Sequence, residues 1–192
     1  MLVKEKIIIL KNQAFSESDL IVWGLNQKGW QLSFIAKGAL KSKKRFSGGV
    51  LEPSSYIQVE YQQSKSSLHK LQQAWFLDSF SKLRTSYQRL NLALYFLGIV
   101  YKVSQQGTED TKELFNLLGN ALKQTETSPQ LKNLKICFQI KFLFGQGVLP
   151  KELSLKSALN KTLSEHVEIN WSESEQQFLS NKLDHSLKNY LE

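Results

Sequence analysis

The chain has 192 residues, of which 41% are hydrophobic and 22% charged, with only 3 Pro and 10 Gly. This composition excludes a disordered or fibrous protein and predicts a globular one with either one large domain or two small ones. The formal net charge is +8, and residues 1–75 carry most of it, with 11 Lys and Arg against 5 Asp and Glu. Such a balance is typical of nucleic-acid-binding proteins, although a merely basic protein or one that touches anionic membranes remains an alternative.

Cysteine content and the N-terminal residues bear on the compartment. Cys137 is the only cysteine, so neither a disulfide framework nor a multi-cysteine zinc site can form within one chain. The apolar run at residues 7–10 is flanked by lysines and is too short for a signal-peptide core or a membrane span. We therefore expect a cytoplasmic protein.

Short runs of β-branched and aromatic residues predict five strands in the first part of the chain, at residues 3–11, 19–25, 30–37, 55–62 and 67–76. Their number and spacing predict a small barrel of the size of an OB-fold. Residues 26–29 indicate a hairpin loop in which Gly29 adopts a positive φ. In the third run the alternation leaves Lys37 outside the barrel and predicts an inward-facing set: Trp30, Leu32, Phe34 and Ala36.

From residue 77 the apolar period becomes helical, which predicts an α+β protein with an OB-fold domain at residues 1–76 and an all-α domain at residues 77–192. The first helix carries an apolar stripe: Leu83, Tyr87, Leu90, Leu94, Leu97 and Tyr101. A second helix begins after a cap at Thr108 and has a buried side: Leu114, Leu117, Leu118 and Leu122. A third covers residues 130–144, and a capping box at Ser172 predicts a last helix over residues 173–191. Residues 151–171 are ambiguous.

The most specific feature is a run of five cations, uninterrupted by an acid, between the third and fourth strands: Lys37, Lys41, Lys43, Lys44 and Arg45. Each phosphate that a cation neutralises releases a counterion, so this loop is expected to bind nucleic-acid backbones in a salt-dependent way. The following Ser47, Gly48 and Gly49 let backbone amides approach an anion closely. A solvated loop without a ligand is the alternative.

Aromatic residues of the barrel are candidates for stacking on bases, although aromatics at alternating strand positions more often belong to a core. The candidates are Trp23, Trp30, Tyr56, Tyr61 and Phe46. Phe46 is the strongest candidate because it lies in the basic loop. The predicted DNA-binding set consists of the five loop cations, Phe46 and Lys28 of the hairpin loop.

Support for catalysis is weak. Glu17 and Asp19 lie close together before the second strand, but a metal-dependent nuclease needs further convergent carboxylates in a ligand pattern that the barrel lacks. A turn or cap role is simpler for Asp19 and its neighbouring serines. Three histidines have no metal-ligand or acid–base context and are expected at the surface: His69, His166 and His185. No phosphate-binding glycine motif is present, and we expect neither an enzyme nor a cofactor.

Several motifs occur in an order and at a spacing that resembles the N-terminal signature of the bacterial RecO family. They lie at residues 17–22 (ESDLIV), 28–29 (KG), 36–39 (AKGA), 45–46 (RF) and 51–53 (LEP). The similarity continues, less specifically, through residues 74–83 and 87–101. It implies an OB-fold that binds single- and double-stranded DNA, anneals complementary strands, and works with RecR to load RecA onto strands coated by single-strand-binding protein.

The C-terminal half departs from the family's pattern in two ways. Many relatives insert a four-cysteine zinc module after the segment matching Leu149 and Pro150, where this chain has cysteine-free sequence, so we expect no zinc. Relatives also usually continue through a further basic stretch beyond the segment that matches Tyr190 and Leu191, which puts C-terminal contacts in doubt.

The resemblance also implies that the helical domain receives the acidic, apolar-tipped tail of single-strand-binding protein. Such a ligand needs a hydrophobic groove rimmed by cations. The predicted partner-binding residues are Lys135, Ile136 and Ile140, with Lys132, Lys141 and Phe144 on the same helix. The alternative is a core helix with solvated lysines.

These observations predict a nucleoid-associated protein of DNA repair and recombination that binds DNA and performs no bond chemistry. Its expected partners are DNA, RecR, single-strand-binding protein and, indirectly, RecA, and no membrane. One alternative is a protein–protein adaptor of repair complexes that binds DNA weakly. A nucleic-acid-processing enzyme is the less favoured one.

Overall fold

The computed structural model describes residues 1–42, 44–104, 112–151 and 155–192. Contacts divide the chain into two compact units, Met1–Ser81 with Leu97–Phe115 and Lys82–Phe96 with Asn116–Glu192. The first unit contains all the strands of the described residues, and the second is helical. The predicted α+β class is confirmed.

Five strands form the first unit: β1 (Leu2–Ala14), β2 (Leu20–Asn26), β3 (Gln31–Ala36), β4 (Tyr56–Gln62) and β5 (Leu68–Asp78). They close into a barrel in the order β1-β2-β3-β5-β4, in which β4 pairs back onto β1. Every pairing is antiparallel except that of β3 with β5, which is parallel and runs from Ser33 opposite Leu68 to Ile35 opposite Lys70. This arrangement confirms the predicted OB-fold barrel.

The barrel core is made of inward-facing side chains from all five strands. Phe34 and Ala36 are fully buried, as the alternation in the third run predicts, and Leu32 packs against the same cluster. The prediction for Trp30 is wrong, since its side chain is 52% exposed. The reason is that β3 begins only at Gln31, so Trp30 belongs to the turn and not to the alternating strand.

Five α-helices lie in the described residues: α1 (Tyr87–Ser104), α2 (Lys112–Thr127), α3 (Leu131–Gly145), α4 (Lys156–Asn160) and α5 (Glu173–Leu191). The capping box that predicts α5 is confirmed, because the Ser172 hydroxyl accepts a hydrogen bond from the N–H of Glu175. The cap predicted at Thr108 lies outside the described residues. In the ambiguous stretch, α4 is followed by a 3-10 turn at Leu163–Glu168.

The buried side of α1 differs from the predicted stripe. Tyr87 is 82% exposed and Leu94 is 46% exposed, although Leu83 and Leu97 are buried as predicted. The positions buried instead include Ala93, Phe96, Val100 and Val103. Since α1 is apolar on most sides, helical spacing alone fits more than one face, and tertiary contacts decide which is buried. None of the helices in the described ranges is long and apolar enough to cross a bilayer.

A buried histidine contradicts the expectation that all three histidines lie at the surface. His166 is 1% exposed. Its Nε2 lies 2.6 Å from the Ser128 hydroxyl and its Nδ1 lies 2.7 Å from the carbonyl oxygen of Leu163. Burial lowers the pKa of His166 below its ordinary value of 6.5. Both ring nitrogens have hydrogen-bond partners within the helical unit, so burial leaves neither of them unsatisfied.

Candidate nucleic-acid interface

The basic loop, Lys37–Phe46, connects β3 to the segment before β4 and presents its cations to solvent. The side chains of Lys37, Lys41, Lys44 and Arg45 are all exposed. Lys43 lies outside the described residues. In the described part of the chain, no carboxylate lies within ion-pair distance of any of these four cations. Their charge is therefore available to a polyanion.

The start of the basic loop is tied to the turn between β1 and β2. The Asp19 carboxylate accepts a 2.8 Å hydrogen bond from the N–H of Gly38, and the Leu40 N–H donates to the carbonyl oxygen of Ser18 at 3.0 Å. Gly38 adopts φ 67°, a conformation that residues other than glycine rarely adopt. The hydrogen bond from Gly38 and those from the serines lower the pKa of the Asp19 carboxyl, so Asp19 stays ionised as an anchor.

The end of the basic loop is held by Arg45. Its Nη2 donates to the carbonyl oxygen of Lys37 at 2.8 Å, so one cation bridges the two ends of the loop. The carbonyl oxygen of Arg45 accepts a hydrogen bond from Ala74 of β5 at 3.3 Å. Together with the Asp19 contact, these bonds fix the loop at both ends and reduce the entropy lost when it binds a ligand.

Phe46, predicted as the strongest stacking candidate, belongs to the barrel core. It is 6% exposed and packs in the same cluster as Phe34 and Val50. The Arg45 guanidinium lies over its ring, 5.1 Å from the centroid. A base cannot stack on a ring whose faces are already covered, so in this conformation Phe46 supports Arg45 rather than contacting a ligand.

A surface groove of about 510 Å³ lies beside the basic loop and is lined by residues including Ser42, Gly48 and Gly49. Gly48 and Gly49 have positive φ values of 66° and 74°. The carboxylate of Glu52 lies close over Gly49, since a Cβ built there would meet its Oε1 at 2.7 Å. A carboxylate therefore already lies where the predicted glycine backbone would approach an anion.

The carboxylates considered for a nuclease have other surroundings. The Asp19 carboxylate accepts hydrogen bonds from the N–H of Gly38 and from the Ser18 hydroxyl. The Ser16 hydroxyl accepts hydrogen bonds from the N–H groups of Ser18 and Asp19. Glu17 is exposed. Within the described ranges, no cluster of three or more His, Cys, Asp or Glu side chains is arranged to hold a metal ion. The turn and cap role predicted for these residues is the one observed.

Lys28 lies in the hairpin between β2 and β3, at the opposite end of β3 from the basic loop. Six residues of β3 separate these ends, a length of about 20 Å. The predicted hairpin is confirmed, because Gly29 has φ 81° and the N–H of Asn26 donates to the carbonyl oxygen of Trp30 at 2.9 Å. Lys28 therefore belongs to a surface distinct from that of the other predicted cations.

The remaining aromatic candidates divide between the surface and packed positions. Tyr61 is 5% exposed, and its hydroxyl donates to Glu5 at 3.3 Å. Trp23 packs edge-on against Tyr101, and Tyr56 packs edge-on against Phe115. Of the five candidates, only Trp30 presents a largely open ring. Sequence reasoning missed Trp75, which is 39% exposed, because the irregular pairing of β5 with β4 hides its register.

The predicted partner-binding residues on α3 are engaged within the helical unit. Ile136 and Ile140 are completely buried and cannot line an open groove. The Lys135 ammonium bonds both carboxylate oxygens of Asp184 at 3.0 Å and lies 4.8 Å from the centroid of the Tyr95 ring. These residues match the alternative of a core helix, apart from the half-buried Lys135.

The barrel is similar in sequence to a known protein family. Residues 1–80 match the family model described as the N-terminal domain of recombination protein O. The chain is a relative of the RecO proteins. It is 33% identical to the DNA repair protein RecO of Syntrophobacter fumaroxidans over 147 residues, covering 77% of this chain and 58% of the relative. The RecO of Alkaliphilus metalliredigens is 30% identical over 151 residues, 78% of this chain and 60% of the relative.

A third DNA repair protein RecO, from Thermodesulfovibrio yellowstonii, is 31% identical over 144 residues, 74% of this chain and 56% of the relative. The resemblance to RecO predicted from the sequence is thus confirmed. The matches span less than two thirds of the length of these curated RecO proteins.

Proposed function

We propose that this RecO relative binds DNA through the basic loop and acts in repair and recombination as a mediator that anneals complementary strands. In this proposal it works in the cytoplasm, near the nucleoid, with RecR, and helps to load RecA onto single strands coated by single-strand-binding protein. The observation that carries the proposal is the set of exposed loop cations without an ion-pair partner among the described residues. The curated relatives are named DNA repair protein RecO, which supports the repair role in this proposal.

The proposed mechanism is binding and not bond chemistry. Two DNA backbones repel each other, and that repulsion falls when both lie against one cationic surface. The anchored ends of the basic loop keep Lys37 and Arg45 near each other, which concentrates positive charge at one place. A surface of this kind lowers the electrostatic cost of bringing complementary strands together without cutting either of them.

Protein partners are assigned in the proposal to the helical unit. For the acidic tail of single-strand-binding protein, Lys135 is the one candidate retained, because the buried Ile136 and Ile140 cannot contact a ligand. Binding of the tail by Lys135 would have to compete with the carboxylate of Asp184. An acidic peptide that ends in apolar residues, titrated against the protein and its Lys135→Ala variant, tests this part separately from DNA binding.

The main test replaces Lys37, Lys41 and Lys44 together by Ala and measures DNA binding and strand annealing at several salt concentrations. Each phosphate contact with a single strand contributes about 0.7 to the slope of log K against log salt, so the slope should fall by about 2. Annealing should slow in parallel. The matched control replaces three exposed lysines of the helical unit, Lys123, Lys156 and Lys182, and removes the same charge.

Of these two variants, only the loop variant should lower the salt slope. If the loop variant and the control anneal DNA equally well with the same salt slope, the basic loop is not the DNA-binding surface. In that case the protein would be better described as a protein–protein adaptor that binds DNA weakly through its overall charge, and not as a recombination mediator.

A further inference from the structure

The hairpin between β2 and β3 presents Trp30 in a fixed position. The Oδ1 of Asn26, a residue only 2% exposed, accepts hydrogen bonds from the N–H of Lys28 at 3.0 Å and from that of Trp30 at 2.9 Å. Trp30 is nevertheless 52% exposed. A large apolar ring that is open to solvent on a backbone held this firmly costs little entropy to use in binding.

One lysine lies against this ring, and two more line a groove beside the hairpin. The Lys28 ammonium lies 5.0 Å from the centroid of the Trp30 ring. A groove of about 270 Å³ adjoins the hairpin and is lined by Lys4, Glu5, Lys6, Asn26, Gln27, Lys28 and Gln58. Lys4 forms an ion pair with Glu60 at 3.1 Å, and Glu5 accepts the hydrogen bond from Tyr61. Lys6 and Lys28 have no ion-pair partner among the described residues.

Strand register extends this surface to a second tryptophan. Lys6 of β1 lies opposite Gln58 of β4, which lies opposite Trp75 of β5. Residues paired across strands share one face of a sheet, and the neighbouring Ala74 belongs to the barrel core, so this row faces outward. From the hairpin end of β2 to β5 the row crosses three interstrand spacings, about 14 Å.

We propose that this row, the tryptophan groove of Trp30, Lys28, Lys6, Gln58 and Trp75, binds a short segment of single-stranded DNA. The bases stack on the two indole rings, and the phosphates lie against Lys6 and Lys28. Open aromatic rings that alternate with cations are the combination that holds single strands without sequence preference. Duplex DNA fits less well, because its bases are already stacked on one another.

This inference rests on the proposed DNA-binding function and deepens it, because it assigns single strands to a surface separate from the basic loop. Lys28 and Lys37 lie at opposite ends of β3, about 20 Å apart, so the two surfaces share no residue. The two sites can therefore be removed one at a time. Their failures give different results.

The test uses an eight-nucleotide oligo-dT and the full chain, with affinity and tryptophan fluorescence as readouts. Trp30→Ala and Trp75→Ala should each weaken binding by about 5- to 100-fold and reduce the quenching of tryptophan emission. Neither should change the salt slope, since no phosphate contact is lost. Lys6→Ala combined with Lys28→Ala should lower the slope by about 1.4. The matched control is Tyr87→Ala, which removes an exposed aromatic from the other unit.

A conservative variant guards against loss of folding. Trp30→Phe keeps an aromatic face and should retain most of the affinity that Trp30→Ala loses. The inference is overturned if both tryptophan-to-alanine variants bind oligo-dT within twofold of the unmodified chain. It is also overturned if Tyr87→Ala weakens binding as much as they do. Loss of binding in the Lys37, Lys41 and Lys44 variant alone would overturn the tryptophan groove and leave the basic loop standing.

Discussion

Asp19 and Gly38, nineteen positions apart in the chain, are joined by a 2.8 Å hydrogen bond from the backbone N–H of Gly38 to the Asp19 carboxylate. This bond holds the start of the basic loop against the turn between β1 and β2. An acidic residue beside the loop that we propose to bind DNA would by itself repel phosphate. Its structural role as an acceptor explains its presence, and the two effects can be separated by mutation.

Asp19→Asn keeps an oxygen acceptor for Gly38 and removes the negative charge, whereas Asp19→Ala removes both. We expect Asp19→Asn to bind DNA at least as tightly as the unmodified protein. Asp19→Ala should bind about 3- to 10-fold more weakly than Asp19→Asn, because ordering a loosened loop costs entropy on binding. Fluorescence anisotropy with labelled DNA measures both. Equal affinities of the two variants would show that the anchor does not matter.

Substitutions of Phe46 distinguish a role in the barrel core from a role in stacking on bases. Phe46→Ala should lower the free energy of unfolding by about 3–5 kcal/mol, because it leaves a cavity in the barrel, and Phe46→Leu should cost about 1–2 kcal/mol. At a temperature where the Leu variant is folded, its affinity for DNA should equal that of the unmodified protein. Urea unfolding and DNA titration check the two parts. A large loss of affinity for DNA in a stable Phe46→Leu variant would show that Phe46 contacts DNA.

The pH dependence of stability should reflect His166. Burial lowers the pKa of His166 in the folded state below 6.5. Just below pH 6.5, His166 is therefore protonated in the unfolded chain but stays neutral in the folded chain. The unfolded state then binds more protons, and stability falls as pH falls from about 6.5 towards the lower folded-state pKa. Above pH 6.5 the contribution is constant. Thermal unfolding between pH 5 and 7.5 measures the trend.

His166→Gln is the control for that trend. A glutamine does not titrate, so the variant should be less stable at neutral pH and should show a flatter dependence between pH 5 and 6.5. The carboxyl groups with lowered pKa, such as Asp19, titrate at lower pH and do not contribute in this window. An equally steep dependence in both proteins would assign it to other groups.

Asp184 is the centre of a polar cluster in the helical unit. Its carboxylate accepts hydrogen bonds from Lys135 at 3.0 Å, from Gln139 at 2.6 Å and from Tyr95 at 3.2 Å. Burial and the nearby carboxylate raise the pKa of Tyr95. Asp184→Ala should therefore lower the pKa of Tyr95 and cost about 1–3 kcal/mol of unfolding free energy, because charged hydrogen bonds are lost.

An exposed ion pair on the same helix supplies the comparison for Asp184. Lys188 and Glu192 lie 3.6 Å apart with both side chains largely exposed. Glu192→Gln should change the unfolding free energy by no more than about 0.5 kcal/mol. Urea unfolding compares the two variants, and ultraviolet titration follows Tyr95. If both substitutions cost the same, the cluster has no special stabilising role.

Local patterns in the sequence were sufficient to predict most strands and helices, but they were insufficient to predict which side chains of the candidate site are exposed. The five strands and α5 could be predicted because alternation and a capping box depend on neighbouring residues alone. The burial of Phe46, Ile136 and His166 depends on contacts with distant segments, which spacing does not encode. The inward direction predicted for Trp30 is wrong because β3 begins one residue later, at Gln31, and the alternation of a strand does not extend into the preceding turn.

The parallel pairing of Ser33 with Leu68 means that the barrel closes only when the last strand has been made. Until then the outer edge of β3 is unpaired, and such an edge invites association with another chain. The lysines that follow β3 in sequence place like charges next to that edge, and like charges oppose edge-to-edge assembly. We therefore expect the lysines of the basic loop to disfavour association of the chain through β3 while β5 is still being made.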